Sequence, residues 1–70
     1  MTDKKYSAYV RDDQRIDGTW APCLEIYQGD SSTPCHEEYL DSWPSVGQVK
    51  KMVKRLVGVE IGVKQIKIYK

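Results

Sequence analysis

The stretch SVGQVKKMVKRLVG, residues 45–58, decides how the rest of the chain is read. Ser45 and Gln48 stand at capping-box spacing, so the Ser45 hydroxyl can accept from the Gln48 amide while the Gln48 side chain reaches back. Val49, Met52, Val53, Leu56 and Val57 then recur at helical spacing and make one apolar stripe. Lys54 and Arg55 fall in the last turn, where the helix dipole favours cations. Gly58 suits the left-handed residue that ends a helix. The spacing predicts a helix over 46–57, with Pro44 closing the segment before it.

Upstream, the period changes from helical to alternating. In Tyr6–Arg11, Tyr6, Ala8 and Val10 share one face and Ser7, Tyr9 and Arg11 the other, which is a strand pattern. Residues 12–18 read as a polar loop closing on the turn dipeptide Asp17-Gly18. Thr19–Gln28 is the second strand, with Trp20, Pro22, Leu24 and Ile26 opposite Ala21, Cys23, Glu25 and Tyr27. Pro22 has no N–H for a ladder bond, so an edge-facing position or a bulge is expected there. Gly29–Pro34 is rich in turn formers, and Cys35–Trp43 is a third strand.

Downstream of Gly58, Val59, Ile61 and Val63 share one phase and Ile66 and Ile68 the other. The slip at Lys64-Gln65 predicts a turn or bulge, followed by a last strand over 66–69. The order is β-β-β-α-β: an α+β fold, a small antiparallel sheet with one helix packed across it. At 70 residues the chain is read as one domain, and a chain of this size buries only roughly 60% of its unfolded surface.

Cys23 and Cys35 test the strand register. A tight loop centred on Gly29 would set them opposite each other. The longer loop, Gly29–Thr33, opposes Tyr27 to Cys35 and Cys23 to Tyr39, about 13 Å out of step at the strand rise, which forbids a bridge. The longer loop is favoured, because the tight one would pair Leu24 with Pro34. Free thiols fit a reducing compartment. With no long apolar run and no secretory leader pattern, the expectation is a soluble, cytoplasmic protein away from membranes.

The charges are sorted along the chain. Residues 1–46 carry four bases and nine acids, net −5; residues 47–70 carry seven bases and Glu60 alone, net +6. Such asymmetry points to a charged partner. Lys50, Lys51, Lys54 and Arg55 lie opposite the apolar helix stripe, and Lys64, Lys67 and Lys70 extend the basic segment. The i,i+4 pairs Lys50/Lys54 and Lys51/Arg55 are like-charged, each costing about 0.2–0.5 kcal/mol, and no acid lies on the helix. A ridge of this kind suits an anion: a nucleic-acid backbone or an acidic protein surface. The competing expectation is compensation by acids of the same chain. A homodimer pairing the opposite charge blocks is a third.

Enzymatic chemistry finds little support. The single histidine, His36, follows Cys35, and adjacent strand residues point to opposite faces, so they make a poor nucleophile–base pair. Cys23, Cys35, His36 and Glu37 lack the close-spaced cysteines of structural zinc sites, and no glycine loop is spaced to cradle phosphate. Neither a metal nor another cofactor is expected. Tyr9, Tyr27, Tyr39 and Tyr69 are candidates for stacking bases, with ordinary cross-strand packing as the plainer reading.

Over residues 6–57, the order β-β-β-α, with Asp17-Gly18-Thr19-Trp20 opening the second strand and a polar residue starting the helix, resembles two families. One is the arm-binding domain of tyrosine recombinases, which lays its sheet in a DNA groove. The other is the small antitoxin domain of hic-type toxin–antitoxin pairs, which binds a toxin. The two resemblances imply a DNA partner and a protein partner respectively, and neither assigns a role to a residue. Two functions follow as expectations: a non-enzymatic module that contacts an anionic partner through the basic helix face, or a protein-binding accessory or inhibitor of phage or mobile-element type that uses acidic loops and the Tyr/Trp surface.

Overall fold

The computed structural model describes residues 5–69. Strand β1 spans Tyr6–Gln14, β2 Trp20–Gln28 and β3 His36–Tyr39; helix α1 spans Val46–Val57, a 3-10 turn Val63–Gln65, and β4 Ile66–Tyr69. The fold is α+β in the expected order. The four strands form one sheet in the order β3-β2-β1-β4.

The sheet is mixed, which corrects the expectation of an antiparallel one. β1–β2 and β2–β3 are antiparallel, whereas β4 runs parallel to β1, with Ala8 beside Ile66 and Val10 beside Ile68. The cause lies in the connections. Three strands alternate in direction, α1 carries the chain back across the sheet, and β4 therefore starts from the end where β1 starts. Hydrophobic period records which face a side chain takes but not which way the strand runs.

One face of the sheet meets the helix. Ala8, Val10, Leu24 and Ile26 pack with Val49, Val53, Ile61 and Ile66 in a single buried cluster. Tyr6, Leu40, Trp43, Val46, Met52, Leu56, Val57 and Ile68 pack around its margin. The register of β1 on β2 sets Ala8 against Ile26 and Val10 against Leu24, so the two central strands give one continuous apolar strip.

Both helix ends are built as expected. The Gln48 amide donates to the Ser45 hydroxyl at 3.2 Å, and the Gln48 side chain accepts from the Ser45 amide at 2.8 Å. Gly58 adopts φ 77° and donates its N–H to Lys54 O, a conformation that suits a residue without a Cβ.

Three boundaries differ. β1 runs on through Asp12, Asp13 and Gln14, because these polar residues pair with Pro22, Ala21 and Trp20 across the hairpin. Asp17 and Gly18 still close the turn: the Asp17 carboxylate accepts from the Thr19 amide and hydroxyl at 3.0 and 2.6 Å, and Gly18 has φ 90°. β3 is shorter than predicted. The Pro22 carbonyl accepts from Leu40 N at 2.8 Å, but proline has no N–H to return, so the ladder stops. Trp43, expected on β3, instead packs against the core margin. Residues 59–62 are irregular rather than extended in a strand. Ile61 alone is buried there, and Gln65 clamps the turn by accepting from Gly62 N and donating to Tyr6 O. That clamp is the phase slip seen in the sequence.

The cluster makes a direct stability prediction. Leu24 is fully buried at its centre, so Leu24→Ala should cost about 2–5 kcal/mol in equilibrium urea unfolding. Ser45→Ala, which removes the cap alone, should cost about 0.5–2 kcal/mol.

Candidate functional site: the basic helix face

The burial of Val49 and Val53 sets the rotation of α1. Lys51, Lys54 and Arg55 are exposed as a result, and Lys50 is half-buried at the flank. Lys54 reaches Glu60 just past the helix at 3.4 Å, with both side chains mostly in water. A pair of that kind is worth little and is screened by salt. Among the described residues no carboxylate forms a salt bridge with Lys50, Lys51 or Arg55. Internal compensation therefore reaches one of the four helix cations.

Two hollows flank the ridge. One, of about 300 Å³, is lined by Gly47, Lys50, Lys51, Lys54 and Glu60. The other, of about 430 Å³, lies between the helix and the segment after β3, with Leu40, Pro44 and Met52 as apolar lining and Lys51 and Arg55 beside them. Lys51 borders both, so its ammonium stands on the crest between them.

The remaining predicted bases do not all join this surface. Lys64 is exposed in the 3-10 turn. Lys67 pairs in register with Tyr9 and so takes the sheet face turned away from the helix. This corrects the extension of the patch through Lys67. Lys70 lies outside the described residues.

The face opposite the helix has its own organisation, much of it hidden from sequence. Tyr9 meets Tyr27 edge-on at 5.4 Å and stacks on Tyr69 at 6.4 Å, with the latter rings within 7° of parallel. Beneath them Arg11 grips Glu25 through Nη2 at 2.8 Å and Nε at 3.0 Å, and the Tyr27 hydroxyl donates to the same oxygen at 3.4 Å. Glu25 is only 6% exposed although no element among the described residues covers its face. The Glu25 hydrogen bond and charge hold the Arg11 guanidinium above its ordinary pKa; burial, then Glu25, pushes the Tyr27 phenol up. Tyr9, Tyr27 and Tyr69 thus pack across strands among themselves, whereas Tyr39 donates its hydroxyl to Gln14 O at 3.0 Å. An Arg–Glu cross-strand pair is not visible in composition, because the β1–β2 register alone makes the two residues neighbours.

The cysteines follow the longer-loop register. Cys23 opposes Tyr39, and both thiols are free. Cys23, Glu25 and Glu37 each bring a donor atom within 4.8 Å of the others, but Glu25 is already engaged by Arg11. Cys35 and His36 stand outside that group; His36 Nε2 instead lies 3.2 Å from Glu38 on the same strand. Among the described residues no helix is long and apolar enough to cross a membrane.

Comparison with known protein families, curated proteins and solved structures gives no match. The likeness to recombinase arm-binding and hic-type antitoxin domains accordingly stands on element order alone.

The two thiols should separate in reactivity. Cys23 is 2% exposed, and burial first, then the charges of Glu25, Asp13 and Glu37, pushes its thiol up. Thiolate is the reactive form, so alkylation of the native protein should modify Cys35 promptly and Cys23 only in denaturant. Equal rates for both in native buffer would contradict this burial.

Proposed function

We propose that this protein is a non-enzymatic binding module, acting in the cytoplasm, that contacts an anionic partner through Lys50, Lys51, Lys54 and Arg55. A nucleic-acid backbone is the simplest partner. The observation that carries this reading is the state of Lys51 and Arg55. They are exposed one turn apart on a helix locked to the core by its other face, and no carboxylate of the described residues pairs with them. Holding like charges one turn apart costs free energy, and a bound anion reverses that cost. Lys64 is a further base in the turn before β4, outside the ridge itself.

Such a ridge offers three or four phosphate contacts. Binding is then modest, indifferent to sequence and salt-sensitive. A second reading, a protein-binding accessory of phage or mobile-element type, is favoured by the exposed Trp20 and by the Tyr9–Tyr27–Tyr69 cluster.

Fluorescence anisotropy with a mixed-sequence oligonucleotide tests the first reading. The logarithm of affinity should fall with the logarithm of salt at a slope of about −2 to −4. The double substitution K51E/R55E should abolish binding while leaving the circular dichroism spectrum intact. No binding by the unaltered protein at low salt would remove the nucleic-acid reading.

A further inference from the structure

We infer that the tip of the β1–β2 hairpin docks into the groove beside α1 of a second copy of this chain. The hairpin overhangs the sheet. β1 and β2 pair out to Gln14 and Trp20, whereas the pairing of β3 on β2 stops at Cys23–Tyr39. Residues 13–21 therefore reach past the last paired residues of β3, met there by Tyr39, whose hydroxyl donates to Gln14 O at 3.0 Å, and the long axis of the described residues is 43 Å against 24 and 18 Å for the others.

The arm carries side chains that a solvated turn does not need. Ile16 stands fully exposed at the apex and Trp20 is 64% exposed. The turn is closed by Asp17, Gly18 and the Arg15–Thr19 backbone bond, none of which uses the Ile16 side chain. Exposed tryptophan on a protruding element is the type of residue that anchors interfaces. Asp12, Asp13 and Asp17 surround the tip, and its one base, Arg15, is laid over the Tyr39 ring at 5.5 Å.

The groove is the complement. Half-buried Leu40 and Met52 supply apolar surface over buried Pro44, and Lys51 and Arg55 outnumber the single lining carboxylate, Asp41. An apolar tip with an acidic surround matches an apolar groove with a basic rim. Trp20 and Ile16 remain exposed, so the chain does not fill its own groove with its own arm. Each copy carries both halves, which lets a two-fold pair make the contact twice.

This inference does not rest on the nucleic-acid reading, although Lys51 and Arg55 serve both and the two partners would compete for them. Sedimentation velocity of the full chain over a concentration series, at low and raised salt, tests it. Association should grow with concentration and weaken with salt. Trp20→Ala and, separately, K51E/R55E should each weaken it at least tenfold, by the magnitude typical of an interface anchor. Adding D12K/D13K to K51E/R55E should restore it, because the charges are then exchanged between tip and rim. That restoration keeps the test decisive even where Trp20→Ala disturbs folding. Trp20→Ala should also leave oligonucleotide binding unchanged, which separates this surface from the proposed anion site. A salt-independent monomer at every concentration, or an assembly indifferent to both sets of substitutions, would overturn the inference.

Discussion

The contact between Val49 and Val53 of the helix and the strip formed by Ala8, Val10, Leu24 and Ile26 is the constraint on which the rest depends. Seventy residues leave room for little other core. The buried valines fix the rotation of the helix, and that rotation places Lys51, Lys54 and Arg55 outward. The strip fixes the register of β1 on β2, which in turn sets Arg11 beside Glu25 and extends the hairpin beyond the sheet. A slip of one residue in a strand would carry that strand's side chains to the other face.

Electrostatics divides the molecule in two. On the helix side, cations stand together, and among the described residues a single exposed acid, Glu60, reaches one of them. On the open face, one pair of opposite charges is matched at short range: buried Glu25 is satisfied by Arg11 and Tyr27. A buried carboxylate with such partners is tolerable where an isolated one is not. The unmatched ridge and the matched face therefore differ in what they offer a partner. The ridge offers cations alone, while the open face holds the matched Arg11–Glu25 pair beside charges of both signs, Asp13, Glu37 and Lys67.

The helix was fully legible because its signals are local. The cap of Ser45, the stripe of Val49 and Val53 and the stop at Gly58 all act within a few residues. The Cys23–Tyr39 register was legible for a related reason, since loop length and the exclusion of Pro34 from a central pairing leave one choice. Less was legible where the deciding atom lies far along the chain. The end of β3 is set by the missing N–H of Pro22, and the turn before β4 is clamped onto Tyr6 by Gln65. Lys67 follows the helix cations in sequence, but strand alternation on a parallel β4 sends it to the other face.

By itself the sequence determined the order of strands and helix, the bounds of the helix and which helix residues remain for solvent, since period and caps are properties of neighbouring residues. Tertiary structure decided the direction of β4, the joining of Tyr69 to Tyr9, the Arg11–Glu25 grip and the reach of the hairpin past β3. Each of these depends on which strands lie side by side, a choice made by the path of the chain across the sheet rather than by any short run of residues.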